Sequence, residues 1–278
     1  MSGVVCVGLA TLDTILAVPR HPAEDDRVVA TEFVLAGGGP AATAAVTLAR
    51  LGVETAFVGA VGDDDAGAAV VEGLAREGVD VESVALVAGG RTPQSSILVG
   101  AGGRAIVHYP GTVRVAAQTG TALDRLRKAS WLHVDHAGYD AIPLDAGLRI
   151  SLDGGNPIDG LDLRGLELYA PTEEGLARDF GTVEQALAAG APLVVVTRGA
   201  NGSGACTSDG RRIEAAGYAV DAVSTLGAGD VFHGALVAAL VRGRPLERAL
   251  AVANKCAALS CRALDGRSAI PTSVEVAL

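Results

Sequence analysis

A glycine-rich turn followed by an acidic residue is the segment of this sequence best suited to chemistry. It reads Gly227-Ala228-Gly229-Asp230 and leads into the apolar run 231–240. The glycines allow a tight turn with outward N–H groups, and the N-terminus of a following helix adds partial positive charge. Asp230 could then take a proton from an attacking hydroxyl while these N–H groups hold the charge on a transferred phosphate. Alternatively, Asp230 could be a simple helix N-cap, and spacing alone leaves both interpretations open.

The elements that must position this turn alternate between short apolar strands and Ala-rich helices. This alternation predicts an α/β fold with a mostly parallel sheet that helices cover on both faces. The predicted strands are Val4–Gly8, Thr55–Val58, Ser130–Val134, Arg149–Leu152 and Leu193–Thr197. The predicted helices are Ala41–Leu51, Ala66–Glu77, Thr182–Ala189, Val231–Arg242 and Leu246–Ala263.

Two segments, about 14–35 and 91–115, depart from this alternation because they are rich in β-branched residues and turns. The apolar alternation in 95–99 and 104–109 indicates strands. We therefore expect a small sheet that projects from a single domain spanning residues 1–278 and covers a site.

Composition and charge limit the classes of partner. Hydrophobic residues make up 49% of the 278 residues and aromatic residues only 3%, which predicts a core of Ala, Val and Leu. The net charge of −10 argues against nucleic acid or an anionic membrane as a bulk partner. No apolar stretch approaches a membrane span, and no basic region precedes the first apolar run, so the predicted location is the cytoplasm. Buried free thiols are predicted for the four cysteines, which are Cys6, Cys206, Cys256 and Cys261.

Two glycine motifs carry a resemblance to a known family. They are Gly37-Gly38-Gly39-Pro40-Ala41-Ala42-Thr43-Ala44-Ala45 with Ala49-Arg50-Leu51-Gly52, and Gly227–Asp230 with Val231-Phe232-His233-Gly234-Ala235. With these motifs the chain resembles the ribokinase/PfkB carbohydrate kinases from about Val4 to Pro271. The resemblance implies a ribokinase-like three-layer sandwich with a β-strand lid, a dimer formed through the lid, and an ATP-dependent sugar kinase that uses Mg²⁺. It also favours Asp230 as general base, with the amides of 227–229 around the phosphate.

The resemblance assigns the sugar contacts. Asp13 matches the aspartate that holds sugar hydroxyls, and a carboxylate can accept two hydrogen bonds from a diol. Gly38 and Gly39 match the glycines where the backbone passes close to the sugar. Thr43 stands where many members have asparagine, which leaves a shorter hydroxyl at that position.

The nucleotide and metal positions follow from the same resemblance. The turn after the strand 193–197 matches the family's ATP contacts, and a late helix matches the adenine contact; these residues are Thr197, Arg198, Gly199, Gly202 and Asn254. Glu173 or Glu174 occupies the place of the glutamate that orders Mg²⁺ through water, although the family's asparagine is absent. Both glutamates could instead be plain first-turn acids. The run Asp63-Asp64-Asp65 is better explained as a helix cap than as a metal cluster.

Within the family, several further motifs resemble the 6-deoxy-6-sulfofructose kinases. They are the unbroken run 37–45, 62–65, 108–110, 152–154, 229–236 and 266–271. This resemblance predicts a ketohexose-like substrate that bears an anion and is phosphorylated at its C1 hydroxyl. Arg27, His108 and His136 stand at the anion-contacting positions. The alternatives are a neutral-sugar kinase, a phosphofructokinase-like sugar-phosphate kinase, and a sugar- and nucleotide-sensing protein without catalysis.

Overall fold

The structure is a computed structural model that describes residues 3–101, 103–144 and 147–278. Its strands are β1 (Val4–Val7), β2 (Thr11–Ala17), β3 (Glu32–Gly38), β4 (Thr55–Gly62), β5 (Val84–Val87), β6 (Gln94–Gly100), β7 (Gly103–Tyr109), β8 (Trp131–Val134), β9 (Ile150–Asp153), β10 (Leu168–Ala170), β11 (Leu193–Thr197), β12 (Ser203–Thr207) and β13 (Arg212–Ala215). Its helices are α1 (Pro40–Arg50), α2 (Asp65–Arg76), α3 (Gly120–Leu126), α4 (Glu173–Asp179), α5 (Val183–Ala188), α6 (Ala228–Val241), α7 (Leu246–Ser260) and α8 (Ser273–Val276).

The larger sheet has the order β13-β12-β11-β10-β9-β8-β1-β4-β5. Neighbouring strands from β11 to β5 run parallel, and β12 and β13 complete the sheet in antiparallel fashion. Chain order reverses at β1, since β4 pairs on one side and β8 on the other. In open α/β sheets, ligands bind at the carboxyl ends of strands beside such a reversal.

Apolar side chains fill both faces of this sheet. One core cluster joins β1 and β4 to α1, α6 and α7, and a second joins the opposite face to α4 and α5. Small residues allow the helices of the first cluster to approach closely: a side chain at Gly234 on α6 would lie 2.6 Å from the Ala44 carbonyl oxygen on α1. These layers confirm the predicted α/β fold with a mostly parallel sheet.

The smaller sheet has the order β3-β2-β6-β7 and overlaps the two segments predicted to form it. Its inner face packs Ile15 and Ile97 against Leu264, while Phe33 and Leu35 are exposed. It extends further than the sequence predicts, because β2 begins at 11 and β3 ends at 38.

Three local features follow from the chemistry of individual residues. Asp64 accepts a hydrogen bond from the Gly67 N–H and caps α2, as the sequence predicts. All four cysteines are buried free thiols, as predicted. Among the described residues, no helix has both the length and the apolar character that crossing a membrane would require.

Candidate active site

Four carboxylates gather beside the carboxyl ends of the parallel strands. Asp135 follows β8, and Asp153 is the last residue of β9. The charges of both act on Asp230, which lies in the first turn of α6. Asp13 on β2 shares the cationic neighbour Arg267 with Asp230. The smaller sheet and the glycine-rich turn therefore meet at one site.

The turn before α6 presents free backbone donors. Gly227 is the N-cap with a φ of 72°, in the left-handed region that favours glycine, and no side chain caps the helix. The interpretation of Asp230 as N-cap is therefore wrong, because Asp230 is the third residue after the N-cap Gly227 and lies within α6. The Ala228 N–H donates to the Thr225 carbonyl at 3.4 Å. In the described part of the chain, the N–H groups of Gly227, Gly229 and Asp230 have no protein acceptor, so an anion could bind them.

Space for that anion lies beside Gly229. A side chain built there would meet no atom within 4 Å, so the glycine borders open volume. Two effects favour an anion at this place: the helix continues for 14 residues, and its N-terminus carries partial positive charge.

Burial and the neighbouring charges shift the pKa of the Asp230 carboxyl. Burial, followed by the negative charges of Asp153 and Asp135, raises its pKa to about 7, while the positive charges of His233 and Arg267 oppose that rise. A carboxylate whose pKa lies near neutral pH can both accept and release a proton under physiological conditions. Asp230 therefore has the proton affinity of a general base.

A second carboxylate lies beneath the smaller sheet. The Asp13 side chain is buried, and within the described ranges its Oδ1 and the Thr11 Oγ1 have no hydrogen-bond partner. Burial raises the pKa of Asp13, although the nearby Thr11 and Ser95 hydroxyls and the charges of Arg267 and His108 act against it. Because buried polar atoms without partners are costly, these atoms suit the hydroxyl groups of a bound ligand.

Glycines form the wall beside Asp13. A Cβ atom at Gly38 would lie 1.9 Å from the Asp13 Oδ2. Gly39 has a φ of 92°, and a Cβ there would lie 2.3 Å from the Leu9 carbonyl oxygen. The structure thus requires both predicted glycines, since any side chain would displace Asp13 or the chain after β1.

Arg267 is a site residue that the sequence prediction missed. Its side chain is buried; Nη2 donates to the Gly38 carbonyl at 2.8 Å, and Nε donates to Thr43 Oγ1 at 3.1 Å. Burial lowers its pKa to about 10, which leaves it cationic at neutral pH. The Thr43 hydroxyl, predicted to face the sugar, therefore accepts a hydrogen bond from Arg267.

The three residues predicted to contact a substrate anion have different surroundings. His108 Nδ1 lies 3.2 Å from Ser95 Oγ, and cross-strand pairing places both in one row with Asp13. His136 follows Asp135, and its buried Nδ1 has no hydrogen-bond partner among the residues that the structure describes. Arg27 is exposed between β2 and β3, and no contact in the described residues links it to Asp13. The arginine that faces Asp13 is Arg267.

Asp135 organises the floor of the site, which the sequence prediction also missed. Its Oδ2 accepts hydrogen bonds from the N–H groups of Leu9 and Ala41 at 2.8 and 3.0 Å. Its Oδ1 accepts from Ala137 and Gly138 at 2.8 and 3.1 Å. One buried carboxylate thus joins the chain after β1, the start of α1 and the chain after β8.

The predicted nucleotide turn follows β11. Gly199 and Gly202 have φ values of 55° and 89°, which glycine adopts most easily. Thr197 ends β11 and pairs with Ser203 on β12. Arg198 forms ion pairs with Glu214 and with Glu173, the latter with 3.5 Å between Nε and Oε1.

Asn254 on α7 is buried, and its amide is already engaged. Its Nδ2 donates to the Ala215 and Ala216 carbonyls, both at 3.1 Å. The side chain thus fixes the segment that follows β13, and only its Oδ1 is left to contact a nucleotide.

Glu173 and Glu174 lie in the first turn of α4, where Thr172 is the N-cap. Both are exposed. No group of three or more His, Cys, Asp or Glu residues in the described ranges could hold a metal ion. A pair of exposed carboxylates fits a Mg²⁺ ion that keeps most of its waters and is bound chiefly by nucleotide phosphates.

Comparisons with known proteins agree with this geometry. The family model described as pfkB family carbohydrate kinase matches residues 1–151 and 167–273. An ATP-dependent ribose-1-phosphate kinase of Halopiger xanaduensis is 31% identical over 100% of this chain and 97% of that protein. The crystal structure of ribokinase from Thermotoga maritima is 26% identical with a TM-score of 0.85, covering 100% of this chain and 98% of that one. The structure of Arabidopsis thaliana ribokinase complexed with ribose and ATP is 25% identical with a TM-score of 0.83. It covers 99% of this chain and 97% of that one.

These matches place the protein among the enzymes that phosphorylate sugars with ATP. The chain belongs to the pfkB family of carbohydrate kinases. The predicted family and activity are thereby confirmed, and the closer resemblance to sulfofructose kinases stays a prediction.

Proposed function

We propose that this enzyme transfers the γ-phosphoryl group of ATP to a hydroxyl of a ribose-type sugar or its phosphate in the cytoplasm. The observation that carries the proposal is that Asp230 lies in the same helical turn as the N–H groups of Gly227 and Gly229 and shares the cationic neighbour Arg267 with Asp13. The similarity to a ribose-1-phosphate kinase and to ribokinases supports this class of sugar.

In the proposed reaction, Asp13 and the backbone at Gly38 and Gly39 orient the sugar. Asp230 accepts the proton of the attacking hydroxyl, so that the oxygen can attack the γ-phosphorus in line. The N–H groups of Gly227, Gly229 and Asp230 hold the charge that develops on the transferred group. When bound with ATP, Mg²⁺ supplies positive charge to the phosphates, and Glu173 and Glu174 would hold it through water.

A phosphate on the sugar would add negative charge to the site. Two positively charged or protonatable groups, Arg267 and His108, face Asp13 and could compensate for that charge. The Arg267 guanidinium is fixed by two hydrogen bonds, which it donates to the Gly38 carbonyl and to Thr43 Oγ1. These features support an anionic sugar over a neutral one.

A second candidate is 6-deoxy-6-sulfofructose, phosphorylated at its C1 hydroxyl. Two of the three predicted anion contacts support it: His108 shares a row with Asp13, and the buried Nδ1 of His136 has no hydrogen-bond partner in the described part of the chain. Arg27 does not support it, because the side chain is exposed.

The substrate is tested by measuring ADP formation with Mg²⁺ and a panel of sugars. The panel contains ribose, ribose 1-phosphate, fructose, fructose 6-phosphate and 6-deoxy-6-sulfofructose. We expect the highest kcat/KM with ribose 1-phosphate or ribose, and an Arg27→Ala variant should leave it unchanged within about twofold. Preference for the sulfosugar, with a large loss in Arg27→Ala, would favour the second candidate. ATP binding without turnover of any sugar would indicate a sensing protein instead.

The outer face of the smaller sheet supports the proposal of a homodimer. It carries the exposed apolar side chains of Phe33, Leu35, Val107 and Tyr109, which are 62%, 56%, 73% and 48% exposed. They lie on one face of the sheet, two on the edge strand β3 and two on the edge strand β7, and exposed apolar faces of this kind mark interaction surfaces. We expect light scattering to give twice the chain mass of 27.8 kDa.

Charge on that face should separate the subunits. A Leu35→Glu/Val107→Glu variant should elute as a monomer, because burying two carboxylates in an apolar interface is unfavourable. Val274→Glu is the matched control, since Val274 is 87% exposed on α8, outside this sheet. A native protein that stays monomeric at micromolar concentration would contradict the dimer.

A further inference from the structure

A buried ion pair lies beneath the catalytic carboxylate. His233 Nδ1 on α6 is 3.3 Å from Asp153 Oδ2 at the end of β9, and both side chains are 5% exposed. His233 follows Asp230 by three residues, so the two side chains lie on the same face of the helix. The pair is thus in position to act on the base without contacting a substrate.

The surroundings of His233 favour its protonated form. Besides the Asp153 carboxylate, the ring lies near the Ala170 carbonyl at the end of β10, whose partial negative charge also favours the imidazolium. A neutral imidazole has only one N–H, whereas the imidazolium can donate from both nitrogens. Burial opposes the charge, but the Asp153 carboxylate, the Ala170 carbonyl and the Asp230 carboxylate together raise the pKa of His233.

A neighbouring histidine offers an uncharged comparison. The His133 ring on β8 lies 5.6 Å from the His233 ring, and its Nδ1 is 3.2 Å from Ser151 Oγ. Burial, together with the His233 charge, lowers the pKa of His133 to about 3. The surroundings of the two buried histidines thus act in opposite directions: burial and the His233 charge favour the neutral form of His133, whereas the Asp153 carboxylate favours the protonated form of His233.

We propose that His233, held as an imidazolium by Asp153, is a positioning residue that keeps the Asp230 carboxylate ionised beside the sugar hydroxyl. The inference rests on the proposed role of Asp230 as general base. Four charged groups face Asp230: His233 on the same helix, Asp153 on β9, Asp135 after β8 and Arg267 after α7. Without the imidazolium, Asp230 would face the negative charges of Asp153 and Asp135 and the positive charge of Arg267 alone.

The sign of the effect follows from these charges. A carboxylate surrounded by uncompensated negative charge holds its proton to higher pH. Asp230 works as a base only when ionised, so loss of the His233 charge should move the acid limb of the pH profile upward. A mere packing defect would instead lower activity by the same factor at every pH.

The test is the dependence of kcat and kcat/KM on pH in a His233→Asn variant. We expect the acid limb to rise by about one pH unit, so that activity falls about tenfold at pH 6 and recovers at pH 9 to within about twofold of the native enzyme. The double variant His233→Asn/Asp153→Asn removes both charges of the ion pair, so the acid limb of the pH profile should return toward its native position.

His133→Asn is the matched control, because it removes a buried histidine without removing charge; its acid limb should not move. An unshifted limb in folded His233→Asn overturns the inference, and so does an equal loss at all pH values. If that variant does not fold, ¹⁵N NMR of the native histidines decides, and a neutral His233 ring at pH 7 overturns the inference. Full activity in Asp230→Asn would contradict the proposed function itself, whichever way the His233 profile behaves.

Discussion

Asp230→Asn is expected to lower kcat by about 10²-fold to 10⁴-fold, because general base catalysis contributes about that much. Asparagine has nearly the same shape and keeps the helix N–H groups of the turn in place. It cannot accept the proton of the sugar hydroxyl, however. ATP affinity should change little, since the proposed phosphate contacts are backbone N–H groups. The measurement is kcat at saturating sugar and ATP, together with the dissociation constant of ATP from calorimetry.

Asp65→Asn provides the matched control for that substitution. Asp65 is also an aspartate in the first turn of a helix, but it is exposed at the start of α2. Its kcat should stay within about twofold of the native value, because surface substitutions have small effects. Near-normal turnover in Asp230→Asn would exclude Asp230 as the base.

The fold was predictable where a continuous run of residues carries the apolar pattern of a helix or a buried strand. The helices α1 and α2 and the strand β11 agree with the prediction to within one or two residues at each end. The strands β10 and β12 were not predicted: β10 has only three residues, and β12 begins with Ser203 and Gly204 and lacks the continuous apolar run of β11. Gly37 and Gly38 lie beyond the segment 14–35 that was predicted for the smaller sheet, but backbone pairing with β2 makes them the end of β3.

The same distinction explains which site residues could be predicted. The base and its anion-binding turn lie within a few consecutive residues, so that one helical turn assembles them. Arg267 reaches Thr43 across 224 positions, and Asp135 reaches Ala41 across 94. Nothing near Arg267 or Asp135 in the sequence indicates which distant elements will pack against it. His233 lies inside the recognised motif, but its partner Asp153 comes from the end of a separate strand.

Substitution of Asp13 should affect the sugar and spare the nucleotide. In Asp13→Asn, the side chain loses its charge and one of its two acceptor oxygens. Hydrogen bonds to a charged group contribute about 1.5–3 kcal/mol each, so loss of one of them should lower kcat/KM for the sugar by about 10-fold to 10²-fold. The KM for ATP should stay nearly constant, because the predicted ATP contacts lie on other elements, at 197–202 and on α7. Initial rates over a grid of sugar and ATP concentrations separate the two effects.

Asp26→Asn is the control from the same part of the chain. Asp26 is exposed between β2 and β3 and pairs with Arg20 at the surface. Exposed ion pairs contribute little, so this variant should keep the native kcat/KM within about twofold. Equal losses for sugar and ATP in Asp13→Asn would mean that Asp13 supports the fold of the smaller sheet. A selective loss for the sugar would assign the buried, unpartnered Oδ1 to the substrate.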